Sequence, residues 1–220
     1  MLGIQTMLGA LGCGPATAKA AGHLPKPDSD LPAAKSGETR TAVFAGGCFW
    51  CSEGAFRQFR GVKEVVSGYA GGTKETADYH TVCSGTTGHA ESIKITYDPS
   101  VITYAQLMQI FFTAHDPTTK DRQGNDVGHQ YRSAIFYEND DQKKVAEAYI
   151  KQLNDSKAFE SPVVTTVEPL NGGFYPAEDY HQNYVALNPT QPYVRACALP
   201  EMQKVRKEFK EWLKTDADSK

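Results

Sequence analysis

The sequence predicts an α+β domain in which a ferredoxin-like split βαβ sheet and its packed helices form a two-layer sandwich, followed by a C-terminal helix. Three observations support this fold class. Short runs of residues alternate between apolar and polar with period two, which is typical of strands, and apolar residues recur at helical spacing between those runs. The runs follow the order strand-helix-strand, strand-helix-strand, then helix-strand. The chain contains no internal repeat, so we expect one folded domain.

Each predicted element has its own local signal. The predicted strands cover residues 41–44, 62–69, 90–97, 134–137 and 163–167. The predicted helices begin after Cys48, after the capping box of Thr103 with Gln106, at Asp140 (ending at residue 157) and at Pro200. Residues 115–132 are a polar loop long enough to favour a functional role, and residues 174–188 are an aromatic-rich loop or short helix.

Length and composition limit the class of protein. The chain has 220 residues, of which 40% are hydrophobic, as expected for an ordinary globular domain. A net charge of −3 creates no strong field for nucleic acid or an anionic membrane, and no stretch is apolar for long enough to span a bilayer. Five cysteines are too few for a disulfide scaffold of this size. We expect a monomeric chain without a nucleic-acid partner.

The N-terminal part differs in kind from the rest of the chain. Residues 1–18 carry no charge and include two short apolar runs, like the end of a secretory hydrophobic region. Leu11-Gly12-Cys13 is close to a lipoprotein processing site, although no Lys or Arg precedes the apolar run. We therefore expect export, to the periplasm or to a lipid anchor at Cys13, rather than a cytoplasmic location. Residues 14–37 have the composition of a flexible linker, so residues 1–37 precede a folded domain at residues 38–220.

The most informative stretch is Gly46-Gly47-Cys48-Phe49-Trp50-Cys51, at a predicted junction between a strand and a helix. The glycines allow a tight turn, and the amide groups and dipole at a helix N-terminus would stabilise a thiolate at Cys48. A second thiol lies about one helical turn further on. The pattern indicates redox or nucleophilic chemistry; the alternative is a buried cysteine pair beside a core aromatic residue.

Glu91 is the second informative residue. Alternation in the strand at 90–97 puts it in phase with Ile93 and Ile95, on the apolar face. A carboxyl group in such a place tends to be neutral at pH 7, and a neutral carboxylic acid can donate a hydrogen bond to an oxygen that gains charge. The alternative is that Glu91 lies at the strand end and turns to solvent.

Five blocks, in one order and with similar spacing, look like the signatures of the A-type peptide-methionine sulfoxide reductases. In chain order they are Gly47-Cys48-Phe49-Trp50-Cys51, Thr87-Gly88-His89-Ala90-Glu91, Gly124-Asn125-Asp126, Gln130-Tyr131-Arg132-Ser133 and Phe174-Tyr175-Pro176-Ala177-Glu178-Asp179-Tyr180-His181-Gln182. The resemblance covers roughly residues 41–190, and five ordered blocks are far more specific than one short motif. It implies a reductase for the S epimer of methionine sulfoxide, free or in proteins, that uses no metal or organic cofactor.

The resemblance also implies a role for particular residues. Cys48 matches the nucleophile. The residues that match the substrate site are Phe49 and Trp50 in the aromatic pocket for the methyl group, Tyr79, Glu91 and Tyr131 around the sulfoxide oxygen, and Asp126 as a buried carboxylate beside the site. A sulfenic acid at Cys48 would then form a disulfide with a second thiol, which thioredoxin or a thioredoxin-like dithiol protein would reduce.

At the resolving thiol this chain departs from the family pattern. Many family members carry resolving cysteines in a Gly-rich C-terminal tail, whereas this chain ends in a predicted helix after Cys197. We predict Cys51 for this role, because a cysteine three residues after Cys48 on a helix satisfies the distance limits of a disulfide. Cys197 remains the alternative.

Two other functions compete with this interpretation. One is a thioredoxin-like disulfide oxidoreductase built on Cys48 and Cys51, which would require a strand with a cis-proline. The other is a structural zinc module that uses Cys48, Cys51, His80 and Cys83, which the spacing of the two pairs suggests. The thioredoxin-like hypothesis leaves the blocks around Glu91 and Tyr131 without a role, and the Phe-Trp insertion and the long gap between the two pairs argue against a compact zinc site.

Overall fold

The computed structural model describes residues 23–35 and 37–215. The predicted export-like segment, including Cys13, lies outside these residues. The strands are β1 (Arg40–Gly46), β2 (Val62–Ala70), β3 (Ala90–Tyr97), β4 (Arg122–Gln123), β5 (Asp126–Val127), β6 (Ser133–Tyr137), β7 (Thr166–Pro169) and β8 (Phe174–Pro176).

Six of these strands form one sheet in the order β7-β6-β1-β3-β2-β8, and β4 pairs with β5 in a separate ribbon. Strand β3 lies between β1 and β2 and is antiparallel to both, so β1 and β2 are parallel and connected across it. This is the split βαβ arrangement. Strand β6 pairs antiparallel with the other edge of β1. The predicted α+β, ferredoxin-like fold class is therefore confirmed.

The helices are α1 (Phe49–Arg57), α2 (Tyr79–Cys83), α3 (Tyr104–Ala114), α4 (Asp140–Asp155), α5 (Tyr184–Leu187) and α6 (Leu199–Glu208). The predicted capping box of α3 is present, with Thr103 and Gln106 each satisfying the other's backbone N–H. A π-helical turn, Val194–Ala198, leads directly into α6. Among the residues that the structure describes, no helix has both the length and the apolar character to cross a membrane.

Aromatic packing fixes the helices that carry the site against the sheet. Phe44 of β1 has its ring centroid 6.0 Å from Phe56 of α1, 5.9 Å from Tyr104 and 5.0 Å from Phe111 of α3. All four side chains are buried. Burial of each such ring stabilises the fold by about 1.5–3 kcal/mol, so this packing holds α1 firmly against the sheet.

The structure corrects several predicted boundaries. Strand β7 begins at Thr166 instead of residue 163, because the backbone N–H of Val163 donates to Asn154 Oδ1 at 2.8 Å and that of Val164 to Pro117 O at 2.8 Å. Helix α4 ends at Asp155 instead of residue 157. The region predicted as an aromatic-rich loop or short helix contains two short helices, as one of these alternatives states, and also the three-residue strand β8.

The predicted polar loop at residues 115–132 contains ordered structure. It holds the β4–β5 ribbon and a 3₁₀ turn, His129–Tyr131. Tyr79 lies on a short helix, α2, which is capped at its start because the Asp78 side chain accepts a hydrogen bond from the backbone N–H of Thr81. These two segments bring polar residues to the end of β1.

Residues 23–35, whose composition is that of a flexible linker, lie against α3 and α4. Tyr149 OH of α4 donates to Pro25 O at 2.9 Å, and the backbone N–H of Ala105 in α3 donates to Asp30 Oδ1 at 3.1 Å. These contacts place the segment on the side of the helical layer rather than at the site.

Candidate active site

Cys48 lies where the chain turns from β1 into α1. Gly47 occupies the left-handed region with φ +89°, and a Cβ at that position would lie 2.6 Å from the Gln123 side chain of β4. Only glycine satisfies both conditions without strain or displacement. Cys48 is the N-cap residue of α1 and is 8% exposed. The nucleophile candidate therefore sits in a narrow opening at a helix N-terminus, as the sequence predicts.

Cys51 lies one turn further along α1, behind Cys48. Its backbone N–H donates to Cys48 O at 3.2 Å, and its side chain is only 3% exposed. The hydrogen bond with the Cys48 thiol, burial and the Glu201 carboxyl all raise the pKa of the Cys51 thiol. Cys48, Cys51 and Cys83 are free thiols, whereas Cys197 is disulfide-bonded.

Glu91 reaches the first residue of α1 from β3. Its Oε2 accepts the backbone N–H of Phe49 at 3.0 Å, and the side chain is 2% exposed. The interpretation in which Glu91 turns to solvent is therefore wrong. Burial raises the pKa of Glu91 to about 8, with a further contribution from Asp126 and an opposing one from the Phe49 hydrogen bond. The carboxyl is mostly protonated at pH 7 and lies beside the nucleophile.

Tyr79 and Tyr131 border the same opening. Burial and the adjacent Cys83 thiol raise the pKa of Tyr79, and Glu91 and Cys48 raise it further. Burial, then Glu91 and Cys48, raise the pKa of Tyr131. Both phenols thus remain protonated donors within the electrostatic reach of Glu91 and Cys48. The family resemblance singled them out, whereas residue patterns alone did not.

Asp126 lies on the ribbon and is held by Tyr193. Tyr193 OH donates to Asp126 Oδ2 at 2.5 Å, and the Cys51 Sγ lies 4.0 Å from the same hydroxyl. Burial raises the pKa of Asp126, although the Tyr193 hydrogen bond opposes that rise. The pair connects the ribbon to α1 and to the C-terminal helices.

Aromatic rings form one wall of the site. The Trp50 indole stacks on Tyr184 with a centroid separation of 3.8 Å and an interplanar angle of 7°, and its Nε1 donates to His181 Nδ1 at 3.2 Å. Burial lowers the pKa of His181, so a neutral ring accepts this bond. Phe49 is buried, with its ring 5.0 Å from that of His181. The arrangement offers an apolar surface of fixed orientation next to Cys48.

Glu178 ties the aromatic wall to the rest of the site. Its Oε1 accepts the backbone N–H of Tyr79 at 2.9 Å, and its Oε2 accepts the hydroxyl of Tyr69 at 2.9 Å. A single carboxylate therefore links β2, α2 and the segment that follows β8.

The structure brings together the residues predicted for the nucleophile, the substrate site and the Cys51 thiol, whereas the alternative Cys197 is disulfide-bonded on the π turn before α6. Cys48, Cys51, Phe49 and Trp50 come from α1, Glu91 from β3, Tyr79 from α2, and Asp126 and Tyr131 from the loop after α3. Sequence reasoning missed Tyr184, Tyr193 and Glu201. Tyr184 and Tyr193 lie in a region without clear periodicity.

The ligand set of the zinc hypothesis does not converge. In residues 23–35 and 37–215, no group of three or more His, Cys, Asp and Glu side chains is placed to hold a metal ion. Cys48 and Cys51 instead face Glu91, Tyr193 and Glu201. The described backbone also contains no cis peptide bond, which the thioredoxin-like alternative requires.

The fold and site define a cysteine-based oxidoreductase. A family model described as peptide methionine sulfoxide reductase matches residues 40–213. The chain is 52% identical over 172 residues to peptide methionine sulfoxide reductase MsrA 2 of Mesorhizobium japonicum, covering 78% of this chain and 88% of that protein. It is 50% identical over 173 residues to MsrA of Thermus thermophilus, covering 79% and 97%.

Solved structures agree with the sequence relatives. The reduced form of Mxr1 from Saccharomyces cerevisiae superposes with a TM-score of 0.65 at 33% identity, over 74% of this chain and 92% of that one. Methionine sulfoxide reductase A of Corynebacterium diphtheriae gives 0.60 at 32% identity, over 80% and 90%. The chain belongs to the peptide methionine sulfoxide reductase family of the A type, and is an oxidoreductase that acts on methionine sulfoxide.

Proposed function

We propose that this protein repairs oxidised methionine by reducing the S epimer of methionine sulfoxide, free or within proteins, with Cys48 as nucleophile and Glu91 as acid. The observation that carries the proposal is the position of Glu91. It is a buried carboxyl group with a raised pKa, hydrogen-bonded to the residue next to Cys48. A sulfoxide oxygen needs a proton as its bond to sulfur breaks, and such an acid can supply it.

In the first step the Cys48 thiolate takes the oxygen from the sulfoxide. The S–O bond of the substrate breaks, an S–O bond forms at Cys48, and Glu91 provides the proton of the resulting sulfenic acid. The substrate sulfur is reduced to a thioether and the Cys48 sulfur is oxidised, so no other electron donor is needed. The phenols of Tyr79 and Tyr131 donate hydrogen bonds to the oxygen as its negative charge grows.

The site also accounts for selectivity between epimers. The sulfoxide sulfur carries an oxygen, a methyl group and a longer chain. If the oxygen faces Glu91 and the methyl group contacts Phe49 and Trp50, only one epimer presents its sulfur to Cys48. Asp126 lies at the border of this pocket and restricts its shape through its bond to Tyr193. The resemblance to the A-type enzymes supports S as that epimer.

The sulfenic acid is resolved by Cys51. The two thiols already interact one helical turn apart, whereas Cys197 is committed to a disulfide and lies on the π turn that leads into α6. Thioredoxin or a thioredoxin-like dithiol protein then reduces the Cys48–Cys51 bridge. We propose that no metal or organic cofactor takes part and that the protein acts as a monomer.

We also propose that the protein is exported. The uncharged residues 1–18, with Leu11-Gly12-Cys13 close to a lipoprotein processing site, support this location. Fractionation of cells that express the full chain tests the point. Recovery in the periplasm or in the membrane as a lipidated form is expected, and recovery in the cytoplasm with an intact N-terminus contradicts it.

A single-turnover experiment tests the reaction. Enzyme mixed with each separate epimer of methionine sulfoxide, without reductant, should yield one methionine per chain from the S epimer and none from the R epimer. Mass spectrometry of the product should then identify a Cys48–Cys51 disulfide.

Cysteine variants separate the two candidates for resolution. Cys51→Ser should still release one methionine but retain a sulfenic acid that dimedone traps, while Cys197→Ser should behave as wild type. A Cys48–Cys197 bridge, together with continued turnover in Cys51→Ser, contradicts the assignment of Cys51. Absence of methionine in the wild-type reaction contradicts the proposed function itself.

A further inference from the structure

Helix α6 is seated directly on α1, behind the cysteine pair. Gly54 of α1 makes this approach possible, because a Cβ there would lie 2.9 Å from Met202 Sδ of α6. Gln58 Nε2 donates to the Met202 carbonyl at 3.1 Å and fixes the contact. The residue before Met202 is Glu201, which is 8% exposed. The carboxyl group of Glu201 is thus buried at the α1–α6 interface. The chemistry described so far does not use this group.

The Glu201 carboxyl and the Cys51 thiol lie close enough for each group to shift the pKa of the other. Tyr193 approaches the same sulfur, with its hydroxyl 4.0 Å from Cys51 Sγ. In an unbroken α-helix, residues eight positions apart diverge by about 80° around the axis. The π turn Val194–Ala198 adds one residue to the repeat between them. It therefore brings Tyr193 and Glu201 to the same face, towards Cys51.

Charged and titratable groups face Glu201 from each neighbouring element. Lys204 lies on its own helix, Asp126 on the ribbon and Cys51 on α1. Burial raises the pKa of Glu201 to about 8, while Lys204 and the Cys51 thiol oppose this rise and Asp126 adds to it. The carboxyl therefore exchanges protons near neutral pH, in contact with a thiol whose own pKa is raised.

We propose that Glu201 is the general base that removes the proton of the Cys51 thiol when Cys51 attacks the sulfenic acid of Cys48. The inference rests on the proposed Cys48–Cys51 disulfide. Cys51 needs such a base, because the thiolate is the nucleophile in disulfide formation and a buried thiol is a poor source of it. Asp126 is unsuited to the task, since Tyr193 already donates to it.

The step balances without an external oxidant. The S–H bond of Cys51 and the S–O bond of the sulfenic acid break, and an S–S bond and a molecule of water form. The Cys48 sulfur is reduced and the Cys51 sulfur is oxidised by the same amount. Glu201 takes the thiol proton and later returns it to solvent, and the departing hydroxide takes one proton from solvent. The net proton count is unchanged.

The test compares the two half-reactions in Glu201→Gln. In a single turnover, release of methionine should proceed as in wild type, which also shows that the variant is folded and that the first step is intact. Formation of the Cys48–Cys51 disulfide should slow by about 10²-fold, the scale for loss of a general base. The disappearance of dimedone-reactive sulfenic acid measures this rate. Glu208→Gln, the same substitution at the other end of α6, should alter neither rate.

The pH profile distinguishes a base from a structural contact. The wild-type rate of disulfide formation should rise with pH as Glu201 ionises, with a midpoint at about pH 8. In Glu201→Gln this rise should be absent, with an increase only at higher pH where Cys51 ionises unaided. Glu201→Asp retains a carboxylate and should recover part of the rate together with the rise.

Three results would overturn the inference: disulfide formation at the wild-type rate in Glu201→Gln, an unchanged pH profile, or equal slowing in Glu208→Gln. Misfolding of Glu201→Gln leaves Glu201→Asp as the deciding variant, through its pH profile. Failure of the proposed function has a different signature, since it would appear as absent methionine release or a different disulfide in the wild-type protein.

Discussion

Replacement of Glu91 by Gln should make this domain more stable and less active at neutral pH. Glu91 is 2% exposed, and burial raises its pKa to about 8 from the ordinary value of 4.5. Gln has the same shape, is neutral at every pH and retains an oxygen to accept the Phe49 N–H. The substitution therefore removes the ionisable proton while it preserves the packing.

The magnitude follows from proton linkage. Between pH 4.5 and pH 8 the folded chain holds a proton at Glu91 that the unfolded chain has released, so the free energy of unfolding decreases as pH rises. Each pKa unit corresponds to about 1.4 kcal/mol, which gives an accumulated loss of about 3 kcal/mol at pH 7. Glu91→Gln avoids this loss. We expect the free energy of unfolding of Glu91→Gln to exceed that of the wild type by about 3 kcal/mol at pH 7 and to equal it near pH 4.

Urea unfolding at pH 4, 5, 6, 7 and 8 measures the difference directly. The free energy of unfolding should decrease with pH less steeply in Glu91→Gln than in the wild type. The difference in slope should be at most that of one bound proton, about 1.4 kcal/mol per pH unit. Glu147→Gln is the matched control, because its side chain is 54% exposed, and it should change stability by less than about 0.5 kcal/mol at any pH. Sulfoxide reduction by Glu91→Gln should fall by about 10²-fold or more.

The two measurements refute different parts of the reasoning. A Glu91→Gln variant with the same pH slope as the wild type would show that the carboxyl is ionised in the folded state. A stabilised variant that reduces methionine sulfoxide at the wild-type rate would show that the buried proton is not the one transferred.

Two further substitutions test the positions on either side of Cys48. Trp50→Ala should raise KM for methionine sulfoxide while alkylation of Cys48 by a small reagent keeps its rate, because the indole contributes apolar contact rather than thiol activation; a parallel fall in both would mean that Trp50 supports the fold. Gly47→Ala should destabilise the domain by about 1–3 kcal/mol more than Gly173→Ala in urea unfolding. Both glycines have positive φ, but a Cβ at Gly47 meets Gln123 at 2.6 Å and one at Gly173 meets nothing within 4 Å, so equal effects would contradict the role of the clash.

The main elements of the fold could be predicted because their signals are local. Alternation in 90–97 gives β3 with its bounds, and the capping box gives the start of α3. The edge of the sheet was harder to predict. Val163 and Val164 have strong strand propensity, but Asn154 and Pro117 accept their backbone N–H groups, and no local pattern reveals such distant partners.

The residues of the site also divide into those that local sequence signals predict and those that depend on three-dimensional packing. Cys48 and Glu91 could be found from residue type, turn and alternation, and the ordered motifs supplied Tyr79 and Tyr131. Glu201 could not be found, because a basic amphipathic helix ordinarily exposes a glutamate in its first turn. Its burial depends on the missing side chain of Gly54 and on the π turn, and both act through three-dimensional packing.

The edge strand β8 attaches the outer part of the aromatic wall to the sheet. β8 pairs with β2 through three residues, Gly68 with Pro176, Tyr69 with Tyr175 and Ala70 with Phe174. The segment that follows it supplies His181 and Tyr184 to the aromatic wall, whereas Phe49 and Trp50 belong to α1, the helix that begins at Cys48. Substitutions at Tyr184 should therefore change the outer wall while the thiols keep their positions, provided that Glu178 still accepts the backbone N–H of Tyr79.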